Sequence, residues 1–382
     1  MRSTVFAATL AVLGAAAVLA TGQAQAATTR TEGPGLKSQE DSRWDALVAT
    51  CQKNHPAKLN FAAPAAGRGR AAARPATPTY KPPAQVQAIP DVIDANAHWR
   101  HVWSESGNNA DGIVGLPDGS ALVAQQDNSD VLRIDPQGHA HVAYQDTNTG
   151  GAVSINKKGE VFIVSRGLHE GIWELAPQHR ILALSYEGDP IDCLGNFGLN
   201  DLTAAANGGV YFTVGGLYYA APDGTVTKEG DVSGTNGVIL SPDEKTLYVT
   251  SAKSFTMPGN LVAFDVQPDG QLTNQRVLAQ LITSGDGSTV DSQGRIYVTN
   301  GSVIEVLSPD GMMLGVIPGP KGDDLISVAF GGKDKHTLFA VGLAKKFHHG
   351  NLGLPSDRMQ GGQGGELIAI HMVAQGYDGR AK

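Results

Sequence analysis

From about residue 112 the chain repeats one pattern of apolar and polar positions: a short apolar run, a turn carrying Gly, Asp or Asn, and a second run of alternating β-formers. The six copies read IVGLPDGSALVAQ, AVSINKKGEVFIV, LTAAANGGVYFTV, VILSPDEKTLYVT, STVDSQGRIYVTN and VAFGGKDKHTLFAV. Runs this short, bounded by turn residues and rich in Val, Ile, Tyr and Phe, predict strands. Leu122, Val161, Val210, Leu247, Ile296 and Leu338 are equivalent positions, 37 to 49 residues apart, which is the length of one four-stranded propeller blade.

Five copies are followed by a second hairpin, seen in RIDPQGHAHV, ELAPQHRILAL, YAAPDGTVTKE, FDVQPDGQLTNQRV and EVLSPDGMMLGV. The sixth, ELIAIHMVAQG, lacks its final strand, and His98–Ser104 is placed to supply it, so that no sheet edge is left open. The pattern predicts an all-β fold, a six-bladed β-propeller over residues 98–376 with an N-terminal extension and a tail at 377–382. Five blades would orphan one copy, and a parallel sheet would need long helical runs that the pattern does not contain.

The flanks read differently. Arg2, the apolar run Val5–Ala20 and Ala24-Gln25-Ala26 form a signal peptide over residues 1–26, so the chain is expected to be exported, to the periplasm or the extracellular space. No later stretch approaches 18 apolar residues, which predicts no stable membrane insertion. Within the extension, residues 27–97, Ser42–Cys51 predicts a short amphipathic helix with Trp44, Leu47 and Val48 on one side, and Ala62–Pro83 reads as a linker. Formal net charge is −8 for the whole chain, and loss of Arg2 with the leader makes it more negative, which argues against nucleic acid. Cys51 and Cys193 are either one disulfide or two buried thiols; spacing does not decide between them.

Aligning the six copies on the turn position (Gly119, Gly159, Gly208, Glu244, Gly294, Lys335) and stepping back eight residues gives Asp111, Gly151, Asn200, Asn236, Asp286 and Ser327. In a propeller these positions ring one end of the central channel. Asp111, Asn200, Asn236 and Asp286 then form an oxygen cage of charge −2. Such a cage suits a divalent cation, calcium first, with zinc, magnesium or manganese as alternatives. Asn and Asp before a strand also serve as ordinary turn formers; four in one register favour the metal site.

At these residues the sequence resembles the senescence marker protein/gluconolactonase/LRE-like family of metal-dependent six-bladed propellers, over about residues 98–376. LNDLTAAANGGVYFT, TNGVILSPDEKTLYVT, GDGSTVDSQGRIYVT and VAFGGKDKHTLFAV are similar to its PND, NG…SPD…LYV, DG…D…G…YV and FGG segments. The resemblance implies that Asn236 and Asp286 bind the metal, that Asn200 binds metal or substrate, and that Asp286 is the general base. Asp111-Gly112-Ile113 stands where the family has the Glu of an EGP segment, one methylene shorter. Gly151, Gly115 and Ser327 stand where many members have Asn, Trp and Asn, which predicts a substrate wall emptied on two blades.

The expected activity is hydrolysis of a lactone or ester, possibly sugar-derived, through a metal-polarised carbonyl and an activated water. Arg166 and His169 are candidate substrate contacts. His348 and His349 lie in a glycine-rich insertion, Lys345–Gly365, that reads as a lid or as a plain surface loop, and Tyr218 and Tyr219 read as packing residues. No G-x-S-x-G elbow or dinucleotide fingerprint occurs. The alternatives are another hydrolase, isomerase or lyase reaction on the same metal, and a non-catalytic ligand- or protein-binding propeller with structural calcium. A third is a strictosidine-synthase-like propeller, against which the oxygen ring speaks.

Overall fold

The structure is a computed structural model and describes residues 46–47, 49–51, 80–105, 110–126, 128–194, 198–254, 257–320, 323–344, 364–379 and 382. The predicted leader, most of the linker and the His348–His349 loop lie outside these residues.

Six four-stranded antiparallel sheets form the six blades of a β-propeller. Their innermost strands are Ala110–Gly115, Gly150–Ile155, Leu202–Ala204, Thr235–Leu240, Ser288–Val290 and Asp323–Gly331, in blades 1 to 6. Three strands of blade 6 come from the C-terminal part of the chain, and the outermost is Arg100–Glu105, paired with Gly364–His371. The predicted closure by the segment at His98–Ser104 is therefore the one observed.

Burial follows position within a blade. Inner strands are sandwiched between two neighbouring blades, so Val238, Ile239 and Leu240 are all buried, whereas the outer strand Ala140–Tyr144 is largely exposed. The apolar clusters are correspondingly inter-blade: Phe162, Val164 and Ile172 of blade 2 pack with Leu202, Val210 and Phe212 of blade 3. Tyr218 and Tyr219 are buried in blade 3, against Phe212 and Tyr211 respectively.

The turn between the first two strands is the same in every blade. Gly119, Gly159, Gly208, Glu244, Gly294 and Lys335 all have positive φ, from 55° to 91°. Each donates its N–H to the carbonyl three residues back, at 3.0–3.1 Å. Glycine takes that conformation without steric cost, and Glu244 and Lys335 hold it because the surrounding hairpin repeats.

Part of the expected extension belongs to the propeller body. Val86, Ile89, Val92 and Ile93 are buried with Ile304, Ile317, Phe330 and Ile370 of blades 5 and 6, and Val92 accepts hydrogen bonds from Val373 and Ala374. Ala46, Leu47, Ala49, Thr50 and Cys51 are helical, within the predicted helix, and Leu47 packs with Leu168. Among the described residues no helix is long and apolar enough to cross a membrane.

The closing seam between blades 6 and 1 carries an electrostatic cost. Burial, and then the charge of Glu105, push the carboxyl of Asp130 up to about 6, and its Oδ1 is buried without a hydrogen-bond partner. A carboxyl raised above its unfolded value favours folding while protonated, and that contribution is lost as pH rises from about 4 through about 6. Asp130→Asn is therefore expected to stabilise the chain by about 1 kcal/mol at pH 8, the shift being discounted for partial exposure, and by almost nothing at pH 4. Urea melts at the two pH values measure it; an equal effect at both would contradict the electrostatic origin.

Candidate active site

The inner strands run from the ring positions to the repeated turns, so the ring and the turns lie on opposite faces. At the ring the ladder breaks in register: between Ala110 and Ile113, Gly150 and Val153, Thr235 and Val238, and Leu325 and Ser327. Such bulges take side chains out of the regular sheet alternation. In blades 3 and 5 the same level is held by Asn200 N–H to Thr213 O (2.9 Å) and Asp286 N–H to Thr299 O (2.6 Å).

Adjacent blades touch backbone to backbone just below the ring. A Cβ on Gly237 would stand 2.0 Å from the Asp286 carbonyl oxygen, one on Gly112 2.4 Å from Ala152 Cα, and one on Gly287 2.8 Å from the Ile326 carbonyl oxygen. This explains the Asp-Gly, Asn-Gly and Asp-Gly pairs of the sequence: the second residue must be small for the seam to close. Blade 3 has Asp201 at this position instead, and its carboxylate crosses the seam to accept the Val238 N–H (3.0 Å). Buried threonines of the second strands brace carbonyls at and next to the ring. Thr213 Oγ1 donates to Asn236 O (2.7 Å), and Thr299 Oγ1 shares its one proton between Ile326 O (2.6 Å) and Gly287 O (2.9 Å).

Of the predicted ring residues, Asn236 is buried with its Oδ1 unpartnered. Asp111 accepts at Oδ2 from Arg166 Nη1 (2.5 Å) and Gln126 Nε2 (3.1 Å). Asn200 accepts from Arg166 Nη2 at its backbone carbonyl. Asp286 is largely enclosed by protein, with part of the residue still accessible. Burial first, then the carboxylates of Asp111 and Asp201, push its carboxyl well above the usual carboxylate range, against the opposing effects of Arg166 and the Gly287 N–H.

Three expectations are corrected. Gly151 does not leave a gap, because the Arg166 guanidinium fills its place: a Cβ there would lie 2.0 Å from Arg166 Cζ. Gly115 is not part of the wall; it is pressed against the Phe330 carbonyl and Gly331 in the seam with blade 6. The cage is also not simply of charge −2, because Arg166, Asp201 and Lys382 join it. Gln375 and Gly376 lie against the turns of blades 5 and 6, on the face opposite the ring. Lys382 brings its buried ammonium to Asp201 Oδ1 and the Leu202 carbonyl (3.3 Å). With three carboxylates and two cations the formal charge is −1.

Asp201 adjoins Asn200 in the LNDL segment and was visible there, but Gln126 and Lys382 carry no signal in the sequence. His169 is exposed, in a loop whose backbone N–H groups at 169 and 170 are held by the Asp192 carboxylate (3.1 and 3.0 Å). Cys51 and Cys193 form a disulfide, which ties the N-terminal helix to the segment leading into Asn200 and packs it on Leu168, two residues beyond Arg166.

Among the described residues no three or more His, Cys, Asp or Glu side chains are arranged as a metal cluster. The ring's donors are instead two carboxylates with amide and carbonyl oxygens. An orphaned buried acceptor at Asn236 beside an undercompensated Asp286 is the chemistry a hard cation satisfies, so the residues fit one.

Residues 133–342 match the family described as SMP-30/Gluconolactonase/LRE-like region. A gluconolactonase of Zymomonas mobilis is 25% identical over 289 residues, covering 65% of this chain and 77% of that protein. The solved structure of a gluconolactonase from Xanthomonas campestris has a TM-score of 0.59 at 21% identity, covering 78% of this chain and 99% of that one. A calcium-binding regucalcin from Agrobacterium tumefaciens has a TM-score of 0.50 at 20% identity, covering 70% and 93%. At these identities the two structures show a shared fold.

Proposed function

The chain belongs to the SMP-30/gluconolactonase/LRE-like family, and from that premise we propose that it is an exported, cation-dependent lactonase that opens a lactone at the ring end of its channel. The observation that carries this reading is that the Asp111 carboxylate acts on the enclosed Asp286 while Asn236, at the same register position of blade 4, keeps a buried Oδ1 without a partner. The Zymomonas relative's activity, gluconolactone hydrolysis by name, supports a sugar-derived lactone as the substrate class.

Asp111, Asn200, Asn236 and Asp286 would hold the cation, with calcium the first candidate. Bound there, it would polarise the lactone carbonyl and stabilise the negative charge that develops on its oxygen. Asp286 takes the proton from the attacking water and returns it to the ring oxygen as the acyl C–O bond breaks, giving the hydroxy acid. Gln126 and Arg166 keep Asp111 from swinging out of the ring. The enclosing blades limit water at the reacting atoms, so these charges act in a low-dielectric setting.

The test is hydrolysis of aldonolactones, aliphatic lactones and aryl esters by the purified chain with calcium, zinc, magnesium or manganese, and after chelation. Chelation is expected to lower lactone turnover by about a hundredfold or more, with recovery on adding calcium. Inertness toward every lactone, together with a melting temperature that still depends on the cation, would replace the enzyme by a binding propeller. Export is supported by the leader-like N-terminus and by a disulfide that oxidising compartments maintain; recovery of the chain in the cytosolic fraction alone would contradict it.

A further inference from the structure

Five ring positions carry a side chain, and the sixth, in blade 2, is Gly151. Its place is taken from the next strand's end: Arg166 lies just after Val161–Ser165, and its backbone N–H is held by the carbonyls of Asn148 (3.1 Å) and Thr149 (3.2 Å). The guanidinium lies where any larger residue at 151 would project, with Cζ, Nε and Nη1 at 2.0, 2.1 and 2.3 Å from a Cβ built there. Gly151 and Arg166 are thus one structural unit, in which the missing side chain makes room for the cation.

Both terminal nitrogens of Arg166 donate inside the protein. Nη1 bonds Asp111 of blade 1, Nη2 bonds the Asn200 carbonyl of blade 3, and Nε is buried without a partner. The side chain is 7% exposed, which leaves little of it for a substrate to meet. Its position is instead that of a bridge across three consecutive blades, at the level where a divalent cation would draw the same Asp111 carboxylate.

We propose that Arg166 is a built-in counter-ion and positioning residue of the ring: seated over Gly151, it preassembles Asp111 and Asn200 and competes with a divalent cation for Asp111. This rests on the cation site named under the proposed function and adds that the site is held open to weak, exchangeable cation binding by the chain's own charge. Removing Arg166 has two opposed effects. It loses one hydrogen bond to Asp111, but Gln126 Nε2 still holds the same oxygen at 3.1 Å. It also removes a full positive charge a few ångströms from the site, the larger effect in an enclosed channel.

The experiment is calorimetric titration of calcium into the full chain, with melting temperatures in calcium and in chelator, for wild type, Arg166→Gln and Arg166→Lys. Neither measurement needs turnover, so an absent lactonase activity leaves this test intact. Arg166→Gln is expected to bind calcium about tenfold or more tightly than wild type and to gain more in melting temperature from calcium. Arg166→Lys retains the charge and is expected to stay within about threefold of wild type. Should Arg166→Gln alone fail to fold, Gly151→Asn with Arg166→Gln refills the space with an amide and is expected to show the same tightening. A calcium constant in the folded glutamine variant that is equal to or weaker than wild type, or no calcium binding by any of these proteins, would overturn the proposal.

Discussion

Asp286→Asn is expected to lower kcat for lactone hydrolysis by about a thousandfold while leaving the fold intact. The substitution keeps the shape of the side chain and its hydrogen-bonding reach but removes the group that accepts a proton from the attacking water. It also removes one of the two carboxylates at the ring positions, so cation affinity is expected to fall with the rate. Asp286→Ala should behave alike in rate and, in addition, open a small void among buried strands. Steady-state assays by proton release, paired with melting curves to show that each variant is folded, measure the effect. Turnover within a few fold of wild type would exclude Asp286 as the base.

Gly237→Ala carries the largest expected cost to stability. The added methyl would meet the Asp286 carbonyl oxygen at 2.0 Å and its carbon at 2.9 Å, and both are backbone atoms that no rotamer change can move aside. Blades 4 and 5 would have to part at this contact between Gly237 and Asp286. The cost is expected to be about 3 kcal/mol, in the range of overpacked cores, and to appear as an earlier urea midpoint. Because the displaced backbone is that of Asp286, lactone turnover should fall even below the unfolding transition. A variant as stable as wild type would mean that the seam is looser than its geometry indicates.

These two outcomes concern residues of very different legibility. Asp286 and its partners could be reached from the sequence because the inner strands of all six blades have the same length between ring and turn. The turn is a local device, set by one left-handed residue and one three-residue-back hydrogen bond, and it recurs at Glu244 and Lys335 as faithfully as at the four glycines. Counting eight residues back from it therefore stays in register. The glycine that follows three of the ring positions, Gly112, Gly237 and Gly287, stands in the sequence as Asp-Gly, Asn-Gly and Asp-Gly, although the close approach that requires it becomes visible only when two blades meet.

What local pattern could not supply was the occupancy of the space between stations. Gly115 and Gly151 look alike in a sequence, as two absent side chains. One is pressed into the seam between blades 1 and 6, and the other is covered by a guanidinium. Arg166 stands on a different strand, and its long side chain crosses into the ring. Lys382 reaches Asp201 across 181 residues. Neither distance leaves a periodic trace, since periodicity records which face a residue takes and not how far its side chain extends.

The sequence by itself therefore determined the strands, the number of blades, the closure by the N-terminal strand and the register that puts four oxygen-bearing residues at equivalent positions, because each of these follows from short-range patterning repeated six times. Only the tertiary structure decided the electrostatics of that level. It brought Asp201, Arg166, Gln126 and Lys382 to the ring, reduced its formal charge to −1 and left Asn236 Oδ1 without a partner. Charge and hydrogen bonding act through space over a few ångströms, and which groups share those ångströms is fixed by how the blades close around the channel.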